Sequence, residues 1–211
     1  MYSVYIPVSV LLFTPLRAAR NEFFHKLWGK KMKIIETALN GLLLLEPVVF
    51  ADERGEFCET FNARRFAALI GCEVSFVQDN RSRSRPNVLR GLHYQHAHPQ
   101  GKLVQVTQGA VWDVAVDLRR ASPSFGQWYG VTLSAENRRQ LWIPEGFAHG
   151  FLALQDGAEF CYKVSDYWHA GDEYCIRWDD PALGIDWPLT QPPVLSDKDR
   201  QGLSFAEAPR F

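Results

Sequence analysis

A histidine sits in an apolar, strand-like run, Val88-Leu89-Arg90-Gly91-Leu92-His93-Tyr94-Gln95, with Arg90 three residues before it and Lys102 nine residues after it. Fixed positive charge beside a buried imidazole penalises its protonated form through Coulomb repulsion and desolvation. Neutral imidazole is a base, and its ordinary pKa of ~6.5 suits proton abstraction at physiological pH. A single histidine in such a run is more often a satisfied core residue than a catalyst. The company it keeps shifts that balance. A histidine base, a tyrosine, a lysine and spare aspartates suit removal of a proton next to a carbonyl: the base takes the proton, the cation holds the enolate oxygen, and an acid returns the proton.

Other chemistries lack their parts. There is no Gly-x-Ser-x-Gly, no Rossmann or P-loop glycine pattern, and no cysteine beside a cation or helix start. His96-Ala97-His98, Lys102 and Gly109 come close to the first metal motif of the cupins, and Pro144-x-Gly146-x-x-His149 to the second. Metal-binding cupins have Glu where Lys102 stands and Asn where Ala153 stands. A protonated lysine cannot ligate a divalent ion and repels one. The motifs therefore favour a cupin barrel and oppose a metal.

The elements that hold these residues read as strands and turns. The chain has 211 residues, 46% hydrophobic and 13% aromatic, enough for one well-packed core. A net charge of −1 argues against a nucleic-acid surface, and no apolar run reaches the ~18 residues of a membrane span. Cys58, Cys72, Cys161 and Cys175 show no close pairing and read as reduced thiols of a cytoplasmic protein. Val4 to Phe13 is apolar but has no charged region before it, so residues 1–31 read as an appendage without a catalytic role, and Met32 as the start of a single folded domain, 32–211.

Within that domain, Leu42 to Phe50 is an apolar run broken by Pro47, an edge or bent strand. Thr60 could cap a short helix, Asn62 to Ile70, ended by Gly71. Short strands are expected at Glu73–Gln78, Lys102–Thr107, Ala110–Leu118, Tyr129–Leu133, Arg139–Ile143, Gly150–Leu154 and Glu159–Val164, a spacing that means a sandwich or barrel. In Ala110–Leu118, period-2 alternation packs Trp112, Val114 and Val116 on one face and puts Asp113 and Asp117 on the other. Asp117 is expected in solvent, and Asp113 either in solvent or in a barrel mouth. From Trp178 the chain is rich in Pro and Asp and reads as a clamp without regular structure.

Several blocks resemble the dTDP-4-dehydrorhamnose 3,5-epimerase family. They are Arg90-Gly91-Leu92-His93-Tyr94-Gln95, Gln100-Gly101-Lys102-Leu103-Val104, Trp112 to Arg119, Leu133-Ser134-Ala135-Glu136-Asn137, Gln140 to Phe151, and Leu195-Ser196-Asp197-Lys198-Asp199. The resemblance runs from about Met32 to Asp199. It implies an all-β jelly-roll (cupin) barrel with a few short helices, forming a cytoplasmic homodimer that uses no metal or cofactor. The activity implied is inversion of C3 and C5 of dTDP-4-dehydro-6-deoxy-D-glucose on the way to L-rhamnose.

Carried over, His93 is the base, Asp199 its carboxylate partner, Tyr162 the acid on the opposite sugar face, and Lys102 the enolate's cation. Arg54, Phe57 and Glu59 match nucleotide contacts offered across the dimer. Gln78, Asp79, Asn80, Arg90, His149, Glu173 and Lys198 match further binding positions. Trp168 falls where the family usually has a tyrosine stacked on thymine, and an indole can stack at least as well. Arg81 stands where many relatives have His. Relatives that invert one centre only share the His/Asp/Tyr set, and a non-catalytic sugar-nucleotide binder or a metal-dependent oxygenase would use the same barrel.

Overall fold

Alternating side chains between glycine, proline and aspartate turns form the strands between Lys33 and Cys175, within residues 32–211, the part of the chain that the computed structural model describes. The predicted appendage, residues 1–31, lies outside the described residues.

Two antiparallel sheets face each other as a jelly roll. The six-stranded sheet runs, in spatial order, β1 (Lys33–Glu36), β2 (Leu43–Glu46), β10 (Gln140–Ile143), β7 (Lys102–Gln108), β12 (Ala158–Val164) and β5 (Gln78–Ser84). The five-stranded sheet runs β13 (Glu173–Cys175), β6 (Leu89–Gln95), β11 (Phe147–Ala153), β8 (Ala110–Asp117) and β9 (Trp128–Ser134). A separate hairpin pairs β3 (Val49–Asp52) with β4 (Gly55–Cys58). Among the described residues only two short helices occur, α1 (Ala63–Ile70) and α2 (Asp197–Arg200), and none is long and apolar enough to cross a membrane.

Three apolar layers follow from the period-2 pattern. Val104, Val111, Ala115, Leu141, Phe151 and Phe160 fill the space between the sheets. Leu92, Val114, Val116 and Leu118 point the other way from the five-stranded sheet, under the C-terminal segment, where Leu183, Trp187 and Ala208 cover them. The predicted clamp thus closes a core, and the Tyr94 hydroxyl donates to the carbonyl of Pro209 at 2.6 Å to hold it. On the outer face of the six-stranded sheet, Phe66 of α1 meets Trp142 edge to face, ring centroids 5.2 Å apart.

Three local expectations are corrected. The helix cap is Asn62, whose side chain accepts from the Arg65 amide at 3.1 Å, and not Thr60. Residues 73–77 are not a strand, and β5 begins at Gln78. Its sequence, Gln-Asp-Asn-Arg-Ser-Arg-Ser, has no apolar alternation because its inward residues line a polar cavity. Asp117 is not in solvent. It is fully buried and accepts from Arg119 at 2.8 Å, Ser122 at 2.5 Å and Ser124 at 2.7 Å. Burial would raise its pKa, but those bonds outweigh burial and hold it below the usual carboxylate value. Asp113, left open between solvent and a barrel mouth, is fully buried and bonded to His149, which lines the cavity.

Candidate active site

Between the sheets opens a cavity of about 680 Å³, room enough for a ligand of nucleotide size. The five-stranded sheet supplies Arg90, His93, His149 and Glu173 to it; the six-stranded sheet supplies Gln78, Asn80, Lys102 and Tyr162. Each expected residue on β5, β6, β7, β11 and β12 is therefore inward-facing, with one exception treated below.

His93 is placed by an unusually close pair of backbones. At Gly91, φ is +119°, and a Cβ there would lie 2.6 Å from the Cα of Gly150; at Gly150 a Cβ would lie 2.7 Å from the carbonyl oxygen of Arg90. Only glycine fits either position. The β6–β11 register shifts next to this point, leaving His93 opposite His149. On the other side Cys175 of β13 pairs with His93.

His93 Nε2 lies 2.6 Å from Asp199 Oδ1. Asp199 is buried and also accepts from the Ser196 hydroxyl at 2.6 Å and the Gly91 amide at 3.2 Å. Ser196 caps α2 and fixes the turn that carries Asp199. Burial pushes the Asp199 carboxyl up, but the bonds from His93, Ser196 and Gly91 outweigh it and bring the pKa down to about 2. An ionised carboxylate can only accept, so the neutral imidazole carries its proton on Nε2 and keeps a lone pair on Nδ1.

The His93 pKa is lowered, as expected, but for a different main reason. Burial comes first, and the Lys198 ammonium adds to it, while the hydrogen bond to Asp199 opposes both. Arg90 and Lys102, the cations adjacent in sequence, are not among its largest causes.

Lys102 is buried, and its Nζ donates one long bond, 3.4 Å, to the His93 carbonyl. Burial brings its pKa down to about 8, against the pull of Glu173 and Asp113. A charge with so few partners is costly in a folded protein and marks a place where charge is wanted. The Tyr162 phenol is pushed up by burial and by Glu173, which keeps it a proton donor at neutral pH.

The rim is a polar chain. Lys198 Nζ donates to Glu173 Oε1 at 2.8 Å, and the Trp168 indole donates to Glu173 Oε2 at 3.3 Å. Glu173 is held below its ordinary pKa because the Lys198 bond and charge outweigh burial. Arg90 Nε donates to Ser84 Oγ at 3.2 Å, and Gln78 links Asn80 to the Trp168 amide.

Four expected site residues lie elsewhere in this chain. Asp79 is on the outward side of β5, where it pairs with Lys163 at 2.9 Å, because period 2 separates it from Gln78 and Asn80. Arg54 and Phe57 are on the β3–β4 hairpin, with Arg54 bonded to Asp52, and Glu59 pairs with Arg65. None of the four lines the cavity. His96 and His98 of the metal-like motif also stand outside it, His96 near the Arg210 carbonyl and His98 beside Asp172. Sequence reading missed Ser82, Gln100, Phe151, Phe160 and Tyr167, which line the cavity. It also missed the pairing of Asp113 with His149 Nε2 at 2.9 Å. Period 2 counted from Gln78 would have turned Ser82 inward; nothing local marked the others.

Comparison with known proteins returns one family. Residues 36–207 match the family model described as dTDP-4-dehydrorhamnose 3,5-epimerase. The protein of that name from Pseudomonas aeruginosa is 59% identical over 180 residues, 85% of this chain and 99% of the relative. The one from Salmonella typhimurium is 58% identical over 169 residues, 80% of this chain and 92% of the relative. Among solved structures, the dTDP-6-deoxy-D-glucose-3,5-epimerase of Legionella pneumophila in complex with dTDP-4-keto-L-rhamnose superimposes with a TM-score of 0.82. It is 51% identical, covering 85% of this chain and 98% of that one.

Proposed function

The chain belongs to the dTDP-4-dehydrorhamnose 3,5-epimerase family, and from that premise we propose how its cavity inverts two carbons of a dTDP-linked 4-keto sugar. The substrate is dTDP-4-dehydro-6-deoxy-D-glucose and the product dTDP-4-dehydro-L-rhamnose. Inversion needs a group that removes a proton from one ring face and a second that delivers one to the other. The observation that carries the assignment is that His93 and Tyr162 come from opposing sheets across one cavity.

His93 Nδ1 takes the proton next to the C4 ketone, and Asp199, ionised and fixed, stabilises the imidazolium that forms. Lys102 Nζ, a buried ammonium, holds the charge that develops on O4. Tyr162 returns a proton to the opposite face. The two inversions repeat this sequence at C3 and C5. Arg90 faces the pyrophosphate, where guanidinium makes charge-assisted bonds, and Trp168 stacks on the thymine.

The reading extends to a cytoplasmic homodimer. In it Arg54, Phe57 and Glu59 serve the other subunit's nucleotide, which accounts for their distance from the cavity of their own chain. We assign no part of the chemistry to residues 1–31, and the folded domain is 32–211.

Incubation with the 4-keto sugar nucleotide and a 4-reductase tests the activity: dTDP-L-rhamnose is the expected product. NMR of the epimerised sugar without reductase separates double from single inversion, and a non-catalytic binder would give no turnover.

Two expectations follow from the site. Replacing Tyr162 by Phe keeps proton removal but loses delivery, so net inversion slows by ~10²-fold or more while solvent hydrogen still exchanges into the substrate. Loss of exchange together with inversion would contradict the role. The pH profile of kcat/KM should be a bell. Its rising limb lies below the ordinary histidine value of ~6.5, because burial lowers the His93 pKa and the neutral form is active. Its falling limb lies near the Lys102 pKa of about 8, above which the ammonium is lost.

A further inference from the structure

Trp168 is an exposed indole, yet hydrogen bonds hold its own amide and the backbone on either side of it. Gln95, at the end of β6 and buried, is the cause. Its Nε2 donates to the Tyr167 carbonyl at 3.1 Å and to the His98 carbonyl at 2.8 Å, while its Oε1 accepts from the His169 amide at 2.7 Å. The carbonyl before Trp168 and the amide after it thus go to one side chain. The Trp168 amide itself donates to Gln78 Oε1 at 3.1 Å.

A second set of contacts ties the same two loops together. Asp172 accepts from the amides of Ala97 at 2.9 Å and His98 at 2.7 Å, and the rings of His98 and His169 stack with centroids 3.9 Å apart. Gln100 Nε2 donates to the Asp166 carbonyl at 2.9 Å. The loop at 165–172 is therefore pinned to the loop at 96–100 on both flanks of Trp168, and Gln95 is the only one of these side chains that brackets Trp168 directly.

We propose that Gln95 is a positioning residue for nucleotide recognition: it holds the loop so that the Trp168 ring is ready before the base arrives. Ordering a loop costs free energy that binding must otherwise supply. Gln95 does not line the cavity, and its bonds go to His98, Tyr167 and His169, so its effect falls on affinity and leaves the chemical step alone. The inference rests on Trp168 being the base platform.

A double-mutant cycle separates the two ideas. Gln95→Met keeps the volume and removes all three bonds. It is expected to raise the Kd for dTDP, and KM, on the order of tenfold while kcat changes by less than about threefold. In a Trp168→Ala background the same change should add less than about twofold to Kd, because there is no platform left to position. An equal loss in both backgrounds, or a fall in kcat matching the rise in KM, overturns the positioning role. If Trp168→Ala alone leaves dTDP affinity intact, the platform reading fails and takes the inference with it. Gln95→Glu, which keeps the shape and the His169 bond but loses both donors, runs through the same cycle if Gln95→Met does not fold.

Discussion

His93→Ala is expected to lower kcat/KM by ~10²–10⁴-fold, the usual effect of losing a general base. The size follows from the site. His93 is the imidazole whose Nε2 bond to the Asp199 carboxylate leaves Nδ1 for the substrate, across the cavity from Tyr162. Affinity for dTDP should change little, because the groups assigned to the nucleotide are Arg90, Trp168 and their partners. The variant also leaves the buried Asp199 carboxylate without its imidazole, so some loss of thermal stability accompanies the loss of rate. A drop of tenfold or less in steady-state kcat/KM would remove His93 from the role of base.

Lys102→Met is expected to act in opposite directions on rate and stability. The lysine is 7% exposed and makes a single hydrogen bond of 3.4 Å among the described residues. An ammonium so placed is expensive to bury, and replacing it with an apolar side chain of similar length is often neutral or stabilising. The melting temperature should therefore hold or rise. The rate should fall by ~10²–10³-fold, the cost of removing one preorganised charge facing a developing oxyanion, and the limb of the pH profile near the Lys102 pKa of about 8 should go with it. A variant that loses stability and keeps its rate would show that Lys102 is structural.

Much of the fold was readable because the strands of a two-sheet barrel repeat the same signal. β7, β8 and β12 alternate apolar residues between firm turns, and they came within a residue or two of their true limits. β5 was lost because the rule that finds strands assumes an apolar inner face, and β5 lines the polar cavity. Asp117 was misplaced for a related reason. A charge near a strand end is normally solvated, but here Arg119, Ser122 and Ser124 fold back over it from the following turn.

The site divides in the same way. His93 and Lys102 carried their own warrant, as a base and a cation close in sequence. Tyr162 looks like a core aromatic from its neighbours, and Asp199 is 106 residues from the imidazole it holds; only the family resemblance joined them to the other two. The resemblance transferred positions, not orientations. It could not say that Asp79 faces outward beside Lys163, nor that burial, ahead of any cation, is what lowers the His93 pKa.

Deuterium uptake tests the proton-transfer claim most directly. With dTDP-4-dehydro-6-deoxy-D-glucose in deuterated water, the native protein should place deuterium at C3 and C5, and His93→Ala should place it at neither. Deuterium entering either carbon at the native rate in His93→Ala would mean that another group takes the proton.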